Sequence, residues 1–246
     1  MPELAGKAAL VTGGSRGIGA AIAQRLARDG ADVALTYRSA ADCAQNVVGQ
    51  IEATGRRGLA ITADSADPGA VVAAVDRTAA EFGRLDILVN SAGIFPFGPI
   101  EEVSLQDYEH TMAVHVRAVF VAVQAASRHL RTGGRIISIG SNLAERVPFP
   151  GITLYSLSKS ALNGLTKGLA REFGPRGITA NIVHPGSTDT DMNPADGDTA
   201  DQQRQLIALG HYGTADDIAA TVAHLAGPGG SYISGQAITV DGGGNA

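Results

Sequence analysis

The sequence predicts an α/β fold: a single domain built on a doubly wound, seven-stranded parallel sheet, helices on both faces, strand order 3-2-1-4-5-6-7. Three observations predict it. Short β-rich runs are apolar without a break, as strands buried on both faces must be. Each is followed by a longer Ala-rich stretch with helical spacing, the alternation that generates parallel sheets through right-handed crossovers. A glycine-rich turn follows the first run immediately, where such sheets meet a ligand.

In chain order, residues 8–11 form the first strand, and 17–28 a helix that closes at Gly30, a residue suited to a C-terminal cap. A strand at 33–36 precedes a helix from about 40 to 54, and strand 59–62 precedes helix 68–82. Strand 87–89 leads into a long helix from about 105 to 130, then strand 135–139 and helix 155–173. Strand 179–183, a helix near 215–225 and strand 237–240 complete the set. The segment between, about 187–212, is polar, rich in Asp and broken by Pro194 and Gly197. A stretch that long outside the sheet reads as a lid.

At roughly 150 residues per domain, 246 residues fall between one domain and two. No linker divides the chain, so residues 1–246 read as one domain. The 32 glycines show no Gly-x-y period, so they belong where backbone turns tightly or approaches something closely. Nineteen basic against 24 acidic residues, without clustered Lys or Arg, argue against nucleic-acid binding. Cys43 is the only cysteine, which suits a reducing compartment. The start, Met1-Pro2-Glu3-Leu4-Ala5-Gly6-Lys7, lacks the basic and apolar regions of a secretion signal, and no apolar run approaches membrane-span length. The expectation is a cytoplasmic protein. His110, His129, His184, His211 and His224 are scattered without ligand spacing, so no metal site is expected.

After the first strand comes Thr12-Gly13-Gly14-Ser15-Arg16-Gly17-Ile18-Gly19. Glycines here let backbone approach a pyrophosphate, while the helix N-terminus supplies amides and positive dipole. In a strand–turn–helix this marks a Rossmann-like dinucleotide site, although the spacing is Gly-x-x-x-Gly-x-Gly. The second strand ends in Thr36-Tyr37-Arg38-Ser39, without the carboxylate that would bind a ribose 2′-hydroxyl. Arg38 and Arg16 instead suit a 2′-phosphate, so NADP(H) is the expected cofactor.

Tyr155 and Lys159 lie four residues apart on one helix face, and Ser141 follows the fifth strand at the carboxyl edge of the sheet. A neighbouring ammonium favours a phenolate and lowers the Tyr pKa from about 10. Tyr155 then works as an acid/base, with Ser141 donating to a carbonyl oxygen on which charge develops.

On these residues the chain resembles the short-chain dehydrogenase/reductase family along essentially its whole length. Leu85-Asp86-Ile87-Leu88-Val89-Asn90-Ser91-Ala92-Gly93 matches a strand and turn that flank the cofactor in that family. His184-Pro185-Gly186-Ser187-Thr188-Asp189-Thr190-Asp191-Met192 matches the stretch holding the nicotinamide carboxamide, with Thr188 and Thr190 as the contacts. Asp64, followed by Ser65, matches the residue beside the adenine, and Val240-Asp241-Gly242-Gly243 the last strand, which packs in a tetramer interface. The resemblance implies hydride transfer to a small-molecule carbonyl. Tyr155 would supply the proton, Lys159 bind the nicotinamide ribose and Ser141 orient the substrate oxygen. One position departs: the family's Asn in the long fourth helix is His115 here, which could relay a proton itself or only fill the space.

Within the family the chain is similar to 3-oxoacyl-(acyl carrier protein) reductases and NADPH-dependent carbonyl reductases. The Asp-rich lid disfavours highly anionic thioesters, whereas Arg128, Arg131, Arg135 and Arg176 could form a basic patch elsewhere. Phe95, Phe97 and Phe149 flank the expected mouth. A ketone or β-keto substrate with an apolar side is the expectation. Residues 189–195 also resemble a branch of cyclic dinucleotide-binding proteins that mediate biofilm dispersal, which supplies a regulatory alternative. A homotetramer, joined through the fourth and fifth helices, is what the resemblance implies.

Overall fold

Strands β1 (Ala8–Thr12) and β4 (Leu85–Asn90) are buried along their whole length and pair in parallel at the middle of the sheet. This computed structural model describes residues 3–246; Met1 and Pro2 of the N-terminal stretch read for a secretion signal lie outside the described residues. β2 (Asp32–Tyr37) and β3 (Gly58–Thr62) extend the sheet on one side. β5 (Leu130–Ile139), β6 (Thr179–Pro185) and β7 (Ala237–Val240) extend it on the other. The order is β3-β2-β1-β4-β5-β6-β7 and every pairing is parallel.

Two apolar layers sandwich the sheet. Helices α1 (Gly17–Arg28) and α2 (Ala41–Glu52) bury Ile22, Leu26, Val47 and Ile51 on one face. On the other, α3 (Pro68–Phe82) contributes Val71 and Val75 to the opposite core. The side chain of Asp67 caps α3 and Gly83, at φ 72°, ends it.

The long helix expected over 105–130 is three pieces: α4 (Leu105–Met112), one π-helical turn (Ala113–Arg117) and α5 (Ala118–Ala126). A π turn inserts one residue without disturbing the run of helix formers, so periodicity does not reveal it. The chain then turns early. β5 begins at Leu130, and its register against β4 slips between the pairs Leu85–Leu130 and Ile87–Arg135.

Helix α6 (Thr153–Phe173) packs on β6, and α8 (Ala215–Ala226) lies against α1. The segment expected as a lid carries a short helix, α7 (Ala200–Gln205), whose polar sequence has no apolar period to betray it. Ala200, Ile207 and Tyr212 give this segment its own small core. No helix among the described residues is long and apolar enough to cross a membrane.

Candidate active site

A cleft of about 1050 Å³ runs along the carboxyl edge of the sheet, at the β1/β4 junction where the strand order reverses. Its floor is the glycine turn. Gly13 takes φ 65°, and a Cβ there would lie 2.7 Å from Ala92 Cα. A Cβ at Gly19 would meet the Gly13 carbonyl at 2.3 Å. The turn is tied to β2: the amides of Gly13 and Gly14 donate to Thr36 Oγ1 and to the Thr36 carbonyl. Among the described residues no side chain caps α1, so its first amides are left for a ligand. Ser15, Arg16, Gly17, Ile18, Tyr37, Arg38 and Ser39 border this end of the cleft, with Asp64, Ser65, Ala92 and Gly93 beside them. Asp64 Oδ1 accepts from the Ala66 amide, and Arg117 donates to the Ala66 carbonyl, so this wall is braced from the π turn. Pro185, Gly186, Thr188 and Thr190 also line the cleft, and the Thr190 side chain packs beside Gly17. A turn packed too tightly for a Cβ at Gly13, Gly14 or Gly19, beside helix amides that no side chain caps among the described residues, fits a dinucleotide.

Two residues expected in the site do not line the cleft. Asn90 is buried beneath it, and neither polar atom of its side chain has a partner among the described residues. It faces a void of about 10 Å³ shared with Thr12, Ser65 and Val114. His115 lies behind the wall, fully buried within the π turn.

Ser141, Tyr155 and Lys159 converge on the cleft from the end of β5 and from α6. Lys159 Nζ donates to the Ile139 carbonyl at 3.1 Å and sits 5.8 Å from the centre of the Tyr155 ring. Burial pushes Lys159 down to about 8. It also pushes the Tyr155 phenol up, with the Ser141 hydrogen bond pulling the other way. The expected depression of Tyr155 by its lysine is therefore not found. Burial disfavours the charged form of each group, and at Tyr155 the Ser141 hydrogen bond offsets it only in part.

His115 Nε2 accepts from the Ile94 amide at 3.0 Å. Its Nδ1 must then carry the proton, which it donates to Ser158 Oγ at 2.8 Å; Ser158 in turn donates to the Tyr155 carbonyl. Burial first, then the Lys159 charge, push His115 down to about 3. A ring with both nitrogens engaged and no affinity for a proton near neutrality is a strut between the β4 turn and α6.

The other half of the cleft is apolar at Phe95, Phe97 and Phe149, with Phe95 edge-on to Tyr155 at 4.8 Å. Sequence reasoning missed Asn142, Arg146 and Asn245, which also border this half. Asn245 donates to the Asn142 carbonyl, and Arg146 to that of Gly244, so the C-terminal tail closes the side of the cleft. Pairs about 100 residues apart leave no local signal. Of the arginines expected as a basic patch, Arg128 pairs with Asp76, Arg131 donates to the Gly83 carbonyl, Arg135 is buried on the carbonyls of Gly133 and Gly134, and Arg176 donates to the Leu130 carbonyl. Among the described residues no three His, Cys, Asp or Glu side chains gather as metal ligands do.

Known proteins match the chain end to end. A family model described as Enoyl-(Acyl carrier protein) reductase covers residues 13–245. The cyclic-di-GMP-binding biofilm dispersal mediator protein of Escherichia coli (strain K12) is 43% identical over 242 residues, 98% of each chain. A crystal structure of a short chain dehydrogenase from Burkholderia cenocepacia J2315 in complex with NADP is 64% identical. It superposes with a TM-score of 0.98 over 99% of this chain and 100% of that one. A blue fluorescent protein from a metagenomic library, solved in complex with NADPH, is 58% identical with a TM-score of 0.97, over 99% and 100% of the two chains.

Proposed function

Because this chain belongs to the short-chain dehydrogenase/reductase family, we propose that it uses NADPH to reduce a ketone or β-keto compound to a secondary alcohol. The observation that carries this reading is the convergence of Ser141, Tyr155 and Lys159 on one wall of a dinucleotide-shaped cleft. The NADP and NADPH complexes of the neighbours support the cofactor assignment, as do Arg16 and Arg38. Both arginines border the adenosine end, and among the described residues no carboxylate pairs with either.

NADPH held along the glycine turn would supply the hydride. Ser141 directs its hydroxyl at the carbonyl oxygen and polarises it. Tyr155, held protonated by burial, is in the form that donates, and it delivers its proton to that oxygen as charge develops. Lys159, gripped by the Ile139 carbonyl, binds the cofactor's ribose and stabilises the phenolate left behind. The phenylalanine wall takes the apolar side of the substrate. We place the enzyme in the cytoplasm as a homotetramer; size-exclusion chromatography with light scattering tests the assembly.

A panel of ketones and β-keto esters, followed by NADPH oxidation, tests the reaction. Turnover by the native chain and a loss of about 10²–10⁴ in kcat for Tyr155→Phe are expected. A second reading is favoured by the Escherichia coli relative: a cyclic dinucleotide-binding regulator on the same fold. Tight binding of cyclic di-GMP without turnover of any carbonyl would reverse the order of the two.

A further inference from the structure

We propose that His184 and Asn163 are positioning residues that hold Ser141 in register with Tyr155; this rests on the reduction proposed above. The loop leaving β5 is held at three consecutive residues. Lys159 donates to the Ile139 carbonyl, the Gly140 amide donates to the Val183 carbonyl at 2.7 Å, and the Ser141 amide donates to His184 Nδ1 at 2.9 Å. An amide can only donate, so Nδ1 is the bare nitrogen of the ring. Nε2 then carries the proton and donates to Asn163 Oδ1 at 2.8 Å.

Asn163 stands four residues beyond Lys159 and eight beyond Tyr155 on α6, so the three share a helix face. One helix therefore presents the phenol, the ammonium and, through the imidazole, the serine. The His184 ring is fully buried, and the chain makes room for it at Gly140. A Cβ at that residue would lie 2.2 Å from Nδ1. With its amide pinned by the ring, Ser141 has its hydroxyl free to accept from the Leu143 amide and to reach Tyr155. Removing the acceptor leaves a buried amide unpaired and lets the serine drift from the phenol.

The test compares His184→Leu with His184→Asn, whose Oδ1 can stand in for Nδ1, in the full chain, with NADPH and a ketone varied separately. His184→Leu is expected to lower kcat about tenfold or more, with the KM for NADPH held within about twofold, and His184→Asn to recover most of the loss. In a Ser141→Ala background, His184→Leu should cost nothing further, because the effect runs through the serine hydroxyl. Equal losses in the Leu and Asn variants, a full loss persisting without Ser141, or a KM for NADPH rising in step with the loss of kcat would overturn the assignment.

If His184→Leu does not fold, Asn163→Leu removes the outer support alone and is expected to show the same split, kcat falling and KM for NADPH unmoved. Hydrogen exchange at the Ser141 amide reads the bond without any substrate. Exchange accelerated in His184→Leu and slow again in His184→Asn supports the brace; unchanged exchange refutes it. A native chain that turns over no carbonyl refutes the reduction, and the exchange result then stands by itself.

Discussion

At the residue scale, histidines have opposite stories in sequence and structure. In the sequence His115 reads as a possible proton relay, whereas its two hydrogen bonds leave both nitrogens occupied. Its pKa of about 3 against an ordinary 6.5 carries a stability consequence. The folded state keeps the ring neutral, while the unfolded chain takes up a proton once the pH drops below 6.5. Stability is therefore lost as pH falls from there towards 3, by about 1.4 kcal/mol per unit from this group. His115→Asn should flatten the acid side of a urea-denaturation series by that slope and leave the pH profile of kcat unchanged; a shifted kcat profile would restore the relay. The arginines of the cofactor end make a separate prediction. Arg16→Ala together with Arg38→Ala should raise the KM for NADPH about tenfold to a hundredfold and leave that for NADH nearly unchanged. Equal effects on both cofactors would remove the 2′-phosphate assignment.

At the scale of elements, the boundaries that periodicity missed lie where geometry departs from 3.6 residues per turn or where the packed surface is polar. The π turn at Ala113–Arg117 is the clearest case: it carries His115 to the β4 turn and Arg117 to the cleft wall at residues 64–66, two braces from one local widening. Helix α7 is too short and polar to show an apolar face, yet Gln203 ties it to the turn after β6 through Ser187 and Asn193. By contrast, α8 is legible from its start. Thr214 and Asp217 form a reciprocal capping box, and Asp216 and Asp217 meet the positive end of the helix. Thr214→Ala should cost about 1 kcal/mol in urea unfolding, with NADPH affinity unaltered, since this cap lies outside the cleft lining.

Over the whole molecule, the cleft joins segments from most of the chain, from the glycine turn to the C-terminal tail at Gly244 and Asn245. Ligand binding should therefore stabilise the folded chain as a unit. NADPH at about 100 times its Kd is worth about 2.7 kcal/mol, a rise in Tm of roughly 5–10 °C for a chain of this size. NADH at the same concentration should give a smaller rise, and a larger one would reverse the cofactor preference.

The sequence by itself determined the strand order, the glycine turn and the Tyr155–Lys159 pair of the proposed chemistry. Each is written locally, as an apolar run, a glycine spacing or two residues one helical turn apart. What only the tertiary structure decided depends on distant partners: the burial that reverses the shift of Tyr155, the tautomers of His115 and His184, the pairing of Arg128 with Asp76, and the tail against Arg146. A side chain's charge and hydrogen-bonding role follow from what surrounds it, and those surroundings are assembled only when strands far apart in the chain lie side by side.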